Sequence, residues 1–291
     1  MPTKSVVPTV RRRRLGSQVR QLRAAAGLSA EAAARAMGWD PGKMSRIENA
    51  KGVLQPKDVP GLLAHYGVTD AATVGALVDL ARDAGKTGWW QTYSGVVAPS
   101  YADLIALEGD AESIREWSPL LVPGLLQTAA YAQETIAAHA LTRTPEEVHA
   151  LAEVRLARQS VLTARPKGSP LRYTAVISEL VLHQRFASRP ETMRDQVRRL
   201  IEQTDVPGVT IQIMPLAATP HPGGAGGFSL FGFAHPMPDV VQIENLKGTN
   251  YAEGSGDMHL FDDAFGRIVG AALSTDDSLA TLKDMEKRNR K

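Results

Sequence analysis

Residues 29–49 carry the start and stop signals of two short helices separated by only two residues. Ser29 is a good N-cap, the alanine-rich run after it has high helix propensity, and Gly38 ends that run. Asp40 can accept hydrogen bonds from the first backbone N–H groups of a new helix. Pro41 occupies that helix's first position, where a missing N–H costs nothing. This pattern is typical of a helix-turn-helix and constrains the fold more than any other segment.

Helical spacing on both sides of this pair predicts a compact all-α unit. Four apolar residues recur at intervals of three or four before the pair: Leu15, Val19, Leu22 and Ala26. Two more helices are predicted after it, over about residues 56–66 and 70–84. Together these segments predict a mainly α N-terminal helix-turn-helix bundle over residues 11–85.

The rest of the chain differs from this bundle in composition and in predicted secondary structure. Residues 1–10 contain two prolines and no helical spacing, which predicts a disordered arm, and residues 86–100 are rich in Gly and Ser, which predicts a linker. Residues 101–291 are predicted to form an α+β C-terminal domain. Its predicted helices span about residues 101–116, 124–140, 145–164, 179–187, 191–204 and 257–273. Its strand-like runs lie at residues 171–177, 209–215, 227–233 and 239–245.

Charge is distributed unevenly along the chain. The net charge is only +2, but residues 1–60 hold twelve Lys or Arg against four Asp or Glu, which is +8. The remaining residues therefore carry −6. A basic N-terminal segment indicates a polyanionic partner, with nucleic acid the leading candidate and an anionic membrane surface the lesser one.

The chain contains no cysteine, which excludes disulfide scaffolds, thiolate zinc sites and cysteine nucleophiles. The basic run at residues 11–14 is followed by LGSQVRQLR, which is too polar for the core of a secretory signal. No stretch approaches the 18 or more apolar residues of a membrane span. We therefore expect a cytoplasmic protein with no membrane partner.

The second helix of the pair has two unlike faces. Met44 and Ile47 are three residues apart and face the predicted core. The other face carries donors suited to phosphates or base edges: Lys43, Ser45, Arg46 and Asn49. Arg46 is the best candidate for bidentate recognition of guanine, and Gly42 lets the helix N-terminus approach a duplex. A merely solvated helix face is the alternative, and the basic segment favours DNA.

The segment GLSAEAAARAMGWDPGKMSRIENAKG closely resembles the helix-turn-helix of the phage-repressor-like XRE family, and the resemblance covers about residues 12–70. It implies a lambda-repressor-like fold. The positions that it implies for base contact are Pro41, Gly42, Lys43 and Arg46. Those implied for backbone contact with phosphates are Ala30 and Asn49, and those implied for an internal salt bridge are Arg23 and Glu48.

The sequence departs from that family's pattern in two places. Pro41 and Gly42 replace the usual polar side chains at the first reading positions, so direct readout would rest on Lys43 and Arg46. Ala50 replaces the common glycine after the third helix, which puts the geometry of the helix end in question.

Four consecutive arginines precede the first predicted helix stripe: Arg11, Arg12, Arg13 and Arg14. They would act either as an arm in the minor groove or as phosphate anchors at the start of the first helix. We favour the second interpretation.

Residues 88–275 resemble the C-terminal domain of the Scr1-type antitoxin-like transcriptional regulators of actinobacteria, a DUF5753-like domain. The resemblance rests on segments such as YADLIALEGDAESIREWSPLLVPGLLQTAAYAQ, RLARQSVLT, VTIQIMPLAA and GGFSLFGF, of which WSPLLVPGLLQT is the most specific. It implies a DNA-binding regulator paired with a small protein encoded nearby, and it implies no catalytic residues.

The WSPLLVPGLLQT segment has two open interpretations. It is either a core-packing loop or part of a pocket for a ligand or a partner. The pocket residues would be Trp117, Pro123, Gly124, Gln127 and Tyr131.

No pattern in the chain predicts catalysis, a metal or a cofactor. The GGAGG run at residues 223–227 lacks the Lys of a P-loop and precedes a strand, and GSG at 254–256 is not a nucleophile elbow. The seven histidines occur singly. Glu108, Asp110, Glu112 and Glu116 sit at helical spacings and are interpreted as a solvated acidic face rather than as paired carboxylates.

These observations predict a sequence-specific DNA-binding transcriptional regulator whose C-terminal domain senses a small-molecule effector or binds a small partner protein. We expect a homodimer on a palindromic double-stranded DNA operator, because one helix-turn-helix reads few base pairs. The alternatives are an antitoxin-like protein that acts mainly on a small partner protein and, less favoured, an enzyme with a C-terminal active site.

Overall fold

The computed structural model describes residues 8–86, 88–93, 95–139, 143–164, 170–245, 248–252 and 255–288. The chain divides into two compact units. The first contains residues 1–92, 98–107 and 234–237, and the second contains residues 93–97, 108–233 and 238–291. The units therefore do not follow the expected boundary near residue 100 throughout. Most of the predicted arm, residues 1–7, lies outside the described residues.

The first unit is a helical bundle. Within residues 8–86, its α-helices are α1 Val10–Ala25, α2 Ala30–Ala36, α3 Pro41–Glu48, α4 Val59–His65 and α5 Ala71–Asp83. The helices begin at side-chain caps, with Thr9, Ser29 and Asp40 accepting backbone N–H groups of α1, α2 and α3. Their apolar faces pack into one core. Its buried residues are Leu15, Val19, Ala33, Ala34, Met44, Ile47, Leu54, Val59, Leu62, Leu63, Tyr66, Leu77, Leu80, Ala81 and Ala84.

Part of helix α6, Pro99–Asp110, also belongs to the first unit. Its Asp103 is buried and accepts the backbone N–H of Val10 at 2.7 Å. The same carboxylate pairs with Arg13 at 2.7 Å. Asp103 thus caps the N-terminus of α1 and places a negative charge there, which the helix dipole favours.

The second unit is built on a mixed sheet. Its described strands are β1 Ser113–Ser118, β2 Arg172–Ser178, β3 Val209–Met214, β4 Phe228–Gly232, β5 Val240–Asn245 and β6 Gly248–Ala252, in the order β3-β2-β1-β4-β5-β6. The pairs β1–β2 and β2–β3 are parallel, and the pairs β1–β4, β4–β5 and β5–β6 are antiparallel. The parallel part is connected by helices, as crossovers require.

The helices of the second unit after α6 are α7 Ala129–His139, α8 Pro145–Ala157, α9 Thr192–Gln203, α10 Ser255–Ala271 and α11 Thr275–Arg288. Helix α8 begins with a capping box in which Thr144 and Glu147 satisfy each other's backbone N–H groups. On one face of the sheet, Phe265 and Ile268 of α10 share a core with Trp117 and Phe228. Turn residues at the start of α11 cover one edge of the sheet: the Ile213 carbonyl accepts from Leu273, and Ser278 Oγ accepts from the Ile213 N–H, both at 2.9 Å.

The predicted fold class, a mainly α helix-turn-helix bundle with an α+β C-terminal domain, is confirmed. Several element predictions are wrong. The helix predicted over 101–116 ends at Asp110, and residues 113–118 form the central strand β1 instead. The helix predicted from residue 124 begins at Ala129, after a short 3-10 turn. Strand β6 and helix α11 were not predicted.

Candidate nucleic-acid interface

Helices α2 and α3 are joined by a tight turn. Gly38 has a φ of 64°, a left-handed conformation that a residue without Cβ adopts at little cost. The backbone N–H of Trp39 donates to the Ala34 carbonyl at 2.9 Å, which closes the end of α2. Asp40 then accepts the N–H of Gly42 at 3.1 Å and starts α3. This local geometry fixes where α3 begins.

Helix α3 is held to the bundle by its apolar face. Met44 and Ile47 are buried, and the hydroxyl of Tyr66 lies 3.6 Å from the Met44 sulfur. The residues that the sequence assigned to DNA contact lie on the other side. Pro41, Ser45, Arg46 and Asn49 are exposed, and Gly42 and Lys43 are half-buried. The helix therefore presents a polar surface along its whole length.

The two cations on this surface have partners within the turn. Arg46 Nη2 donates to both oxygens of the Asp40 carboxylate, at 3.0 and 2.9 Å. The Lys43 ammonium lies 3.9 Å from the ring centroid of Trp39, a cation–π contact. Both groups remain near the N-terminal end of α3, the end that reads bases in helix-turn-helix proteins.

The residue after the C-terminal end of α3 that adopts a left-handed conformation is Ala50, not the common glycine. Ala50 adopts a φ of 56°, in the left-handed region that a Cβ disfavours by about 1–2 kcal/mol. The backbone N–H groups of Lys51 and Gly52 both donate to the Arg46 carbonyl at 2.8 Å. Asn49 donates from its side chain to the Ser45 carbonyl at 2.8 Å. The helix end is closed by these bonds, with the strain retained at Ala50.

The other residues implied by the family resemblance lie in the same unit. Ala30 is the first residue of α2, half-buried at the helix N-terminus. Arg23 of α1 forms an ion pair with Glu48 of α3, and Glu48 is buried. The hydrogen bond to Glu48 raises the pKa of Arg23 further, so the guanidinium stays charged.

The four arginines lie in the first turns of α1 and differ in accessibility. Arg11 and Arg12 are half-buried, and Arg13 pairs with Asp103 and donates to the Pro8 carbonyl at 2.5 Å. Arg14 is only 2% exposed. Their helical setting does not favour the interpretation as an extended arm, and burial of Arg14 removes it from the residues able to contact phosphate.

The segment containing Trp117 and Pro123 in the second unit is closely packed. Trp117 is buried on β1, and its Nε1 donates to the Gly223 carbonyl at 2.9 Å. Tyr131 is buried on α7, accepts the N–H of Val122 at 3.0 Å and donates to Gln184 at 2.7 Å.

The side chain of Gln127 is also hydrogen-bonded to the protein. Its amide donates to the Val122 carbonyl at 2.7 Å and accepts from Arg155 at 3.0 Å. Gly124 lies against Arg158, so close that a Cβ at this position would be 1.9 Å from Nη2. The predicted pocket residues are thus engaged with the protein itself. The geometry favours the core-packing interpretation, because the side-chain polar atoms of Trp117, Gln127 and Tyr131 are hydrogen-bonded to the protein.

A buried polar cluster beneath this segment was misread from the sequence. Glu108, interpreted as part of a solvated acidic face, is 4% exposed and pairs with Arg158 at 3.0 Å. Glu116, assigned to the same face, accepts the hydroxyl of Tyr173 at 2.7 Å. The solvated-face interpretation is wrong for these two residues, because Glu108 faces Arg158 inside the protein and Glu116 lies on strand β1 beside Tyr173 of β2.

Burial governs the acidity of this cluster. It raises the pKa of Glu108 to about 7, although Arg158 opposes the shift. Burial also raises the pKa of Glu116, although the hydrogen bond from Tyr173 opposes that shift. Burial and the neighbouring Glu116 raise the pKa of Tyr173 well above its ordinary value, so the phenol stays protonated. Among the described residues, no group of three or more His, Cys, Asp or Glu side chains is arranged to hold a metal ion.

Each of the two units contains a segment that matches a protein-family model. Residues 14–77 match the model of a helix-turn-helix domain, so the first unit defines a helix-turn-helix protein. Residues 101–284 match the family described as a domain of unknown function, DUF5753. That match covers more than half of the chain, and the chain belongs to the DUF5753 family. The predicted combination of a helix-turn-helix with a DUF5753-like domain is confirmed.

No curated protein and no solved structure matches the chain. Within the described residues, no helix combines the length and the apolar character needed to cross a membrane.

Proposed function

We propose that this protein is a sequence-specific DNA-binding transcriptional regulator whose helix α3 enters the major groove. The observation that carries the proposal is the division of α3 into a buried apolar face and an exposed basic one. Met44 and Ile47 attach the helix to the core, while Lys43 and Arg46 project from the other side. Groove insertion therefore needs no rearrangement of the bundle core.

The charge of the first unit supports the same proposal. A net +8 over residues 1–60 attracts the phosphate backbone without regard to sequence. Arg11 and Arg12, on the first turn of α1, are proposed phosphate contacts. Arg46 and Lys43 are the proposed base contacts, since bidentate guanidinium and ammonium groups pair well with guanine O6 and N7.

We propose that the regulator binds as a homodimer. A single helix-turn-helix contacts too few base pairs for useful specificity, so two recognition helices about one helical turn, ~34 Å, apart are expected. The dimerising surface is assigned to residues after 85. This arrangement requires a palindromic operator.

The second unit is proposed to receive the signal. It carries two shallow, open surface clefts of about 560 and 540 Å³, volumes similar to those of small-ligand sites, roughly 300–1,000 Å³. His221 and Arg267 line the first cleft, and Arg143 and Arg189 line the second. Arg267 pairs with Asp263, and Glu134 also lines the second cleft, so the linings do not select the charge of an effector. An effector acts only through different affinities for two arrangements of the DNA-binding units.

An antitoxin-like role, in which a small protein binds the second unit, is the second candidate. Three exposed leucines favour it: Leu120, Leu180 and Leu216. Each lies two residues beyond the last residue of a parallel strand, and those strands are neighbours in the sheet. A row of large apolar side chains at one sheet end is typical of interaction surfaces.

The regulator proposal is tested by mapping the protein's binding sites across the genome of its host. We expect an enriched palindrome. Arg46→Ala should weaken binding to that sequence by roughly 1–3 kcal/mol and relax one base position. Arg82→Ala is a matched control, because Arg82 and its partner Asp79 are 54% and 58% exposed, against 53% and 57% for Arg46 and Asp40. Equal operator affinity for Arg46→Ala and Arg82→Ala would contradict the proposal.

The antitoxin-like candidate is tested by co-purification of the full chain from its host. A small protein recovered with the wild type should be lost when Leu180 is replaced by Ser. Leu260→Ser is the control, because Leu260 is also a strongly exposed leucine, at 65% against 52% for Leu180, but lies on α10. A small protein retained by Leu180→Ser, or recovery of the chain alone, would count against this candidate.

A further inference from the structure

Asp40 has two roles in the geometry of α3. Its Oδ1 accepts the backbone N–H of Gly42 and so caps the helix. Both of its oxygens also accept from Nη2 of Arg46, six residues later. The Arg46 side chain therefore folds back along the helix toward the N-terminal end.

A carboxylate at this position would oppose DNA binding on its own. The N-terminal end of a recognition helix comes close to the phosphates and base edges, where a negative charge is repelled. Asp40 is 57% exposed, so protein does not shield it. The paired guanidinium neutralises the carboxylate and retains N–H groups on Nε and Nη1 that can donate to a base.

We propose that Asp40 is a specificity-determining residue that orients Arg46 toward one base and so disfavours DNA in which that base is wrong. The proposal rests on the proposed function of α3 as the reading helix. A correct base satisfies Arg46 while the guanidinium still neutralises Asp40. With an incorrect base, Arg46 stays paired with Asp40, and the guanidinium N–H groups held in this orientation meet no acceptor, which disfavours the complex.

A substitution at Gly42 provides an independent test of the pair between Asp40 and Arg46. A Cβ on Gly42 would lie 2.7 Å from Arg46 Nη1 and 3.4 Å from Asp40 Oδ1. The first distance is too short for the guanidinium to keep its place, whereas the second is an ordinary van der Waals contact, so a Cβ here would displace Arg46 and not Asp40. Gly42→Ala displaces Arg46 without changing any charge, and alanine itself favours the helix.

The test is selection of DNA from a random pool by the full-length protein, with wild type, Asp40→Asn and Gly42→Ala compared. Asparagine caps a helix as well as aspartate, so Asp40→Asn keeps the start of α3 and removes only the charge. We expect Asp40→Asn to bind random DNA more tightly and to lose roughly tenfold in discrimination at the base read by Arg46. Gly42→Ala should lose discrimination at the same base.

Two control variants match these changes elsewhere in the bundle. Asp79→Asn removes the acidic partner of an equally exposed arginine on α5. Gly75→Ala adds a Cβ where no atom lies within 4 Å. Both should select the same sequence as the wild type with the same discrimination.

The outcomes separate this inference from the proposed function. If the wild type enriches no sequence, the regulator proposal fails, and this inference fails with it. If the wild type enriches a sequence and Asp40→Asn retains full discrimination at every position, only the role of Asp40 is overturned. Loss at one shared base in Asp40→Asn, Gly42→Ala and Arg46→Ala supports it.

Discussion

The guanidinium of Arg23, near the end of α1, holds the carboxylate of Glu48, at the end of α3, through two hydrogen bonds of 2.5 and 3.0 Å. Glu48 is 8% exposed, and its other cation, Arg20, is 3.8 Å away on a largely exposed side chain. The bidentate pair connects the proposed reading helix to the first helix of the bundle. It therefore fixes the orientation of α3 by charge as well as by packing.

We predict that Arg23→Ala lowers the free energy of unfolding of the first unit by about 3 kcal/mol, because buried Glu48 would keep only the exposed Arg20, 3.8 Å away, as a cation. Hydrogen exchange of the α1 and α3 amides in the full chain measures the loss. Arg82→Ala, which breaks an exposed pair, should change it by less than about 1 kcal/mol. Equal effects of the two substitutions would show that the buried pair has no special role.

Glu108 predicts a pH dependence of the second unit. Burial raises its pKa from 4.5 to about 7, so between these values the folded state keeps a proton that the unfolded state has lost. This contribution to stability is complete below pH 4.5 and is lost as the pH rises to about 7. The total change is about 3 kcal/mol.

Urea unfolding of the second unit between pH 4.5 and 8 measures this contribution as the difference between wild type and Glu108→Gln. Glutamine cannot ionise, so the variant should lose the Glu108 part of the slope and keep the part due to Glu116. Parallel pH profiles for the two proteins would exclude Glu108 as the titrating group.

Gly124→Ala should destabilise the second unit by about 2–3 kcal/mol. The added Cβ would overlap Arg158, which would have to leave Glu108 buried without its cation. Gly266→Ala on α10 is the control, because a Cβ there meets no atom within 4 Å. Thermal unfolding of the two variants gives the comparison, and a Gly124→Ala protein as stable as Gly266→Ala would refute the close contact.

Arg12→Ala should weaken binding to all DNA sequences alike, because this arginine is a proposed phosphate contact. The slope of log affinity against log salt concentration should fall by about 1, while the selected sequence stays the same. Titrations at several salt concentrations on operator and random DNA measure both. A changed base preference would instead place Arg12 at a base edge.

The sequence predicted the α2–α3 region well because its signals are local. The caps Ser29 and Asp40, and Met44 and Ile47 on the buried face, are separated by a few residues and can be read without knowledge of the rest of the chain. The folded-back pair of Arg46 with Asp40 was not predicted. A spacing of six residues is not a standard helical pair, and the cap position places Asp40 beside the helix axis.

The second unit was harder because its decisive contacts are distant in the sequence. Glu108 and Arg158 are fifty residues apart, and their pairing depends on the turn at Gly124. Strand β1 was predicted as helix because Glu112 and Glu116 continue the four-residue spacing that begins at Glu108. Its buried residues, Ile114 and Trp117, do not alternate, so its strand character depends on pairing with β2 and β4, which are distant in the sequence.

The covered edge of β3 has a consequence for the C-terminal end of the chain. Through Leu273 and Ser278, the backbone groups of Ile213 are satisfied by the segment that leads into α11. Without that segment, the backbone N–H and carbonyl of Ile213 on this edge of the sheet would be open to pairing with another chain. We therefore expect removal of the chain from Leu273 onward to favour aggregation through strand addition.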